Sequence, residues 1–254
     1  MNTRKHKRKS PFAKIFGFGI LIIALYLLIS HLGGIDGIRN ILNGSDFSDI
    51  EDQNIREAFI EISKTNPEAS EYLENYEGIT DYDLSLDLSD EIVCGSIPYY
   101  KQWDNRWGYC QYGDGLIGYT GCGPTALSMV AMGLTGDGTL TPAYVAEFAI
   151  REGYCVPGDG TAWLLFSEGA QKLGLTVKEL PLWEAAMRDE LEAGNPIICI
   201  MGPGHFTTSG HYIVIVSCDE DGFQVYDPYR PSNCKTWAYD DISGEIRNLW
   251  SYCA

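Results

Sequence analysis

The chain of 254 residues has eight cysteines but no C-x-x-C pair, and it has no G-x-x-x-x-G-K-[ST] loop. The first absence leaves neither zinc-ribbon nor thioredoxin-type spacing, and the second leaves no Walker-type cradle for a nucleotide. Residues 113–118 are glycine-rich, but no Lys-Ser or Lys-Thr comes after them. No cofactor, metal or nucleotide is therefore expected. Histidine is scarce, with only four in the chain. His6 falls in a basic head and His31 in an apolar run, which leaves His205 and His211. Gly202-Pro-Gly-His205 reads as a turn rather than as part of a metal site. Cations are scarce too. Of 18 Lys and Arg residues, Arg4, Lys5, Lys7, Arg8, Lys9 and Lys14 stand in residues 1–14 without an acid among them. Beyond Lys14, 12 basic residues face 35 acidic ones, a net charge of −23. A body this acidic repels phosphate backbones, so nucleic acid is set aside as a partner, and the acid reads as solubility. There is no internal repeat and no low-complexity tract.

Residues 15–32 read I-F-G-F-G-I-L-I-I-A-L-Y-L-L-I-S-H-L, 18 residues with only Ser30 and His31 distinctly polar. A membrane span needs roughly 17–25 such residues. The basic head before it keeps the N-terminus in the cytoplasm and sends the rest outside. The expectation is a single-pass anchor: a cytoplasmic tail at 1–14, the span at 15–32, and an extracytoplasmic body. The competing reading, a cleaved signal peptide, wants a small-x-small site, and I-S-H-L-G-G-I-D offers none. Export permits disulfides, but the sequence leaves their pairing open. Cys199 and Cys218 lie in apolar runs and are expected to be buried thiols.

Residues 33–90 read as a helical stalk and linker. Ile55, Phe59, Ile60 and Ile62 give residues 45–76 an apolar stripe, and Pro67 begins a second helix. Residues 79–90 are acidic and without period. From residue 91 tyrosine, tryptophan and glycine become frequent, as in a compact domain with many turns. Helices are expected at 123–133, 141–152, 161–173 and 182–193. Strands are expected at 196–201, 211–218, 223–227 and 235–239, with a hairpin turn at 219–222. Helices followed by an antiparallel sheet make an α+β arrangement.

Thr120-Gly-Cys-Gly-Pro-Thr-Ala-Leu-Ser-Met-Val130 puts a cysteine just ahead of a helix. Pro124 suits the first helical turn, and Gly121 and Gly123 leave the thiol uncrowded. Helix N-terminal N–H groups and the helix dipole favour an anion there, so a thiol so placed is expected to ionise readily. A thiolate nucleophile needs an imidazole, and the imidazole needs an orienting partner. His211 opens the strand H-Y-I-V-I-V-S-C, and Asp227 closes the strand F-Q-V-Y-D. His205 sits before the strand, with no acid at a matching place. Pairing Cys218 with Phe223 in an unbroken hairpin would set Asp227 opposite Val214, about 10 Å along the strand from His211. Their contact therefore requires a bulge, strand twist or another turn register.

Ile97-Pro-Tyr-Tyr-Lys-Gln-Trp-Asp-Asn-Arg-Trp107, Gly121-Cys-Gly-Pro-Thr-Ala-Leu-Ser-Met-Val130, Gly210-His-Tyr-Ile-Val-Ile215 and Tyr226-Asp-Pro228 occur in this order. Together they resemble the bacterial C-39-like cysteine peptidases, papain-like relatives of the domain that trims double-glycine leaders from bacteriocins. The resemblance runs from about Val93 to the C-terminus. It implies a papain-like fold over 91–254, Cys122 as nucleophile, His211 as base, Asp227 as its partner and Gln102 as oxyanion-hole glutamine. It also implies a peptide or peptide-like substrate, and the expected anchor would put that substrate at the cell envelope. The bacteriocin processors are fused to transporter domains with the peptidase in the cytoplasm, whereas this sequence shows no G-x-x-x-x-G-K-[ST] loop and one expected span with the domain outside, so a leader-peptide substrate is not implied. Two further readings use the same fold: a surface binding module without turnover, and an acyltransferase using the same three residues. Trp103 and Trp107 are expected as core anchors.

Overall fold

The computed structural model describes residues 47–254 apart from Asp159. The expected basic tail and membrane anchor lie outside the described residues; among those described, no helix is long and apolar enough to cross a membrane. Residues 50–254 form one compact unit.

The chain enters on α1 (Gln53–Thr65), capped by the Asp52 carboxylate, which accepts from the N–H groups of Asn54 and Ile55. Its buried residues Ile55, Ala58, Phe59 and Ile62 recur at helical spacing. A 3-10 turn at Pro67–Ala69 leads into α2 (Ser70–Glu74), as Pro67 suggested. The segment read as a stalk is packed against residues 108 and 109. The Tyr72 ring stacks on Tyr109 at 4.7 Å, and its hydroxyl donates to the Gly108 carbonyl at 3.0 Å.

A small hairpin of β1 (Gln111–Tyr112) and β2 (Gly115–Leu116) occupies the glycine-rich stretch and runs into α3 (Ile117–Thr120). Next come α4 (Cys122–Thr135) and α5 (Pro142–Arg151), the latter capped by Thr141. The sequence pattern ended α4 at Gly133; the helix instead continues to Gly136, whose φ of 73° makes the left-handed cap. Gly133 serves close packing, since a Cβ there would sit 2.6 Å from Ile97 Cδ1. The single helix expected over 161–173 is also corrected. Residues of β3 (Cys155–Val156) and β4 (Gly160–Thr161) pair, a 3-10 turn comes next at Trp163–Phe166, and only α6 (Glu168–Lys172) is α-helical.

The main sheet has six antiparallel strands. They are β5 (Thr176–Glu179), β6 (Ile197–Met201), β7 (His211–Cys218), β8 (Phe223–Tyr226), β9 (Thr236–Trp237) and β10 (Ile246–Cys253), in the order β5-β10-β6-β7-β8-β9. β5 and β10 were not expected, and the strand expected at 235–239 is only two residues long, because Tyr239 begins α8 (Tyr239–Ile242). Alternation divides the core. Ile198, Ile200, Tyr212 and Val214 join the cluster around α4, while Ile197, Cys199, Ile213 and Ile215 join Met187 and Leu191 of α7 (Glu184–Glu192). β6 is therefore buried throughout and reads as an unbroken apolar run. Residues Gly123 to Met132 of α4 are likewise all buried, between the sheet and α5.

Candidate active site

Cys122 is the first residue of α4, and its thiol is half-buried. The helix meets β4 so closely that a Cβ on Gly123 would lie 2.5 Å from Thr161 Oγ1. Thr161 is itself held, its Oγ1 2.9 Å from the Tyr112 hydroxyl and its carbonyl accepting from Tyr212 at 3.0 Å. Glycine after the cysteine thus lets the helix start press against this wall.

His211 is the first residue of β7 and is buried. Its Nε2 lies 2.6 Å from Asp227 Oδ1, which leaves Nδ1 as the ring nitrogen free to meet the Cys122 thiol. Asp227 comes directly after the last residue of β8 and is fully buried. A bare carboxylate there would be costly, and this one is not bare. Oδ1 also accepts from the backbone N–H of Tyr229 at 2.8 Å and of Arg230 at 3.0 Å, and Oδ2 accepts from Asn233 Nδ2 at 2.7 Å. Burial pushes the Asp227 carboxyl up, but His211, Asn233 and the Arg230 N–H outweigh it and hold the group below its ordinary value. Burial likewise pushes the His211 imidazole down; the Asp227 carboxylate, with the Cys122 thiol beside it, outweighs this and brings it up to about 10.

The segment carrying Gln102 and Trp103 clamps the loop after Asp227. Gln102 N–H donates to the Pro228 carbonyl at 2.8 Å, and Trp103 Nε1 donates to the Tyr229 carbonyl at 2.9 Å. Trp103 and Trp107 are both buried, in keeping with their reading as anchors. Gln102 is fully buried; its Nε2 donates to the Gly118 carbonyl at 3.2 Å, and its Oε1 has no hydrogen-bond partner among the described residues. It does not line the cleft on which Cys122 and His211 open.

That cleft has a volume of about 890 Å³ and is walled by Thr161, Trp163, Phe206, Tyr229, Arg230 and Glu61, among others. The sequence reading missed these six, and it missed Asn233. Thr161 was concealed inside an expected helix. Glu61 stands more than 60 positions before Cys122, with no local signal to connect them. His205 is exposed, and it does have an acid partner, contrary to expectation. Its Nδ1 meets Glu245 Oε1, its N–H donates to Glu245 Oε2 at 2.9 Å, and its ring packs on Trp237. That pair is separate from the His211–Asp227 pair. All eight cysteines are free thiols; Cys199 is fully buried, whereas Cys218 is only half-buried.

The model of the peptidase C39-like family matches residues 95–253. Among solved structures, one assigned as a C39-like peptidase from Bacillus anthracis is similar at 16% identity and a TM-score of 0.42, covering 66% of this chain and 97% of that one. The peptidase domain of Streptococcus ComA, a bifunctional ABC transporter involved in a quorum-sensing pathway, is similar at 21% identity and a TM-score of 0.39, covering 53% of this chain and 91% of that one. No curated protein matches the chain.

Proposed function

Because this chain belongs to the peptidase C39-like family, we propose that it is a cysteine peptidase hydrolysing peptide or peptide-like amide bonds through Cys122, His211 and Asp227. One observation carries this reading: the buried His211–Asp227 hydrogen bond of 2.6 Å belongs to a histidine that opens on the same cleft as Cys122. In the proposed reaction the Cys122 proton passes to His211 Nδ1, and the sulfur attacks the carbonyl carbon. The carbonyl oxygen becomes an oxyanion facing the N-terminus of α4, where helix N–H groups lack intrahelical partners. The C–N bond then breaks as the imidazolium gives its proton to the leaving amine, forming a thioester. Water, losing a proton to His211, hydrolyses the thioester and regenerates the thiol. Asp227 keeps Nε2 protonated and the ring oriented throughout.

The family motif supports Gln102 as an oxyanion donor, although its side chain is fully buried and off the cleft lining. Its Nε2 gives one N–H to Gly118 and has a second to offer. The apolar run at 15–32 and the basic head before it support a membrane anchor with this domain on the outer side. With the domain there, the substrate class is a peptide of the cell envelope.

The test is turnover of an internally quenched peptide library by the full chain and by Cys122→Ala. Loss of roughly 10³-fold or more is expected. Full cleavage by the variant, or none by the unaltered chain, overturns the proposal. Iodoacetamide gives a second readout: activity is expected to fall in step with alkylation of Cys122, and full activity of the Cys122-alkylated chain overturns the proposal.

A further inference from the structure

The cleft does not end at the helix start. It continues into a second groove of about 680 Å³, and the two share Glu61, Tyr119, Thr120 and Thr208. The far wall of this extension is α1, which contributes Asn54, Glu57, Ala58 and Glu61, with Asp114 of the β1–β2 turn opposite. α1 precedes the residues that the family model covers. It is held in place beside the candidate site, where Thr65 Oγ1 lies 3.3 Å from the Tyr229 hydroxyl, two residues after Asp227.

We propose that α1 is a wall of the substrate groove and that Glu61, with Glu57 and Asp114 beyond it, selects peptides carrying a lysine or arginine side chain. The proposal rests on the peptidase reading for the use made of the groove, and it adds the substrate class. Among the described residues, no lysine or arginine pairs with any of these three carboxylates. Glu61 is half-buried, so an approaching cation meets its charge with less water between them than on an open surface. Tyr119 and Glu61 line both depressions, and Glu57 lines the second. Burial raises the Tyr119 hydroxyl, and the charges of Glu61 and Glu57 raise it further. The cation of the main cleft, Arg230, stands by Tyr229 and forms no ion pair among the described residues. Arg230 and Glu61 both line the main cleft, whereas the extension is lined by Glu57, Glu61 and Asp114 and by no basic residue, so a basic side chain is attracted into the extension.

The experiment is binding, read separately from turnover. Full-length Cys122→Ala protein in detergent is titrated into dye-labelled octapeptide pools fixed as Lys, Ala or Glu at one position. Fluorescence anisotropy reports affinity. The Lys pool is expected to bind about tenfold more tightly than the Glu pool, a preference that weakens with salt. Adding Glu61→Gln and Glu57→Gln should reduce it to about twofold or less, and Glu61→Lys should reverse it, with circular dichroism unchanged. Equal binding of the Lys and Glu pools overturns the proposal, as does a preference that survives Glu61→Lys in folded protein. A chain that prefers Lys pools but whose unaltered form cleaves none of them retains the basic-peptide groove and loses the peptidase reading.

Discussion

Val214 pairs with Tyr226, not with Asp227, because Val216 bulges out of β7 between Ile215 and Ser217. An unbroken ladder from the Cys218–Phe223 pair would set Asp227 opposite Val214, on the face of β7 away from His211. The bulge shifts the register by one. The residue after Tyr226 then falls level with Ile213, two positions from His211 and on its face. The side chains close the remaining distance to 2.6 Å.

Replacing Asp227 separates its charge from its shape. Asp227→Ala is expected to lower kcat/KM by about 10³–10⁴. Asp227→Asn keeps an oxygen for the N–H groups of Tyr229 and Arg230 and removes the negative charge beside the imidazole. That charge raises the His211 pKa, so without it the imidazolium loses its proton at lower pH. The alkaline limb of kcat/KM should move down by about 1–3 pH units. A limb that stays in place counts against His211 as the titrating group.

The same pair predicts how stability depends on pH. His211 has a raised pKa in the folded protein, so its contribution is complete below the unfolded value of about 6.5 and fades as pH rises toward the folded one. Asp227 has a lowered pKa, so its contribution is present above about 3.9 and is lost as pH falls through the folded value. Urea midpoints of the unaltered protein and His211→Gln should differ most near pH 5–6 and converge toward pH 10. A difference that grows with pH would show the opposite sign of coupling.

At the helix start, Gly123→Ala should cost about 1–3 kcal/mol and depress activity more than stability alone explains. The added methyl group would press on Thr161, displacing the residue next to Cys122. Thr161→Ala in that background should restore part of both losses, a favourable coupling measurable in a double-mutant cycle. Strict additivity would mean that the two residues do not press on each other.

Residues 50–90 should behave as part of the folded unit. Tyr72→Ala is expected to cost about 3–5 kcal/mol, and Tyr72→Phe about 1 kcal/mol through the lost hydrogen bond to Gly108. A chain beginning at residue 91 should be less stable and less active than one that includes α1. Gain of activity on that deletion would identify the segment as an inhibitor instead.

The helix expected from residue 123, which begins one residue earlier at Cys122, the helix with Pro142 in its first turn and the β7–β8 hairpin were legible in the sequence because each is governed by residues a few positions apart. Glycine, proline and the caps act within one turn, and the Asp-Gly-rich turn at 219–222 acts within one hairpin. β10 was not legible. Ile-Arg-Asn-Leu-Trp-Ser-Tyr-Cys has little alternation, because its burial comes from lying between β5 and β6, strands that meet it from elsewhere in the chain. The helix expected over 161–173 failed for a similar reason, since Thr161 is drawn into pairing with Cys155.

The sequence by itself determined the candidates for the proposed chemistry: the Gly-Cys-Gly-Pro helix start, a histidine opening one strand and an aspartate closing the next. Only the tertiary structure decided that the histidine and aspartate meet, through a one-residue bulge, and that Asn233 and two backbone N–H groups share the buried carboxylate. It also decided that α1, read as a stalk, lines the groove. The physical reason is range. Propensity, capping and turn chemistry act between near neighbours, whereas register, burial of charge and the walls of a cleft are settled by distant segments when helix and sheet pack together.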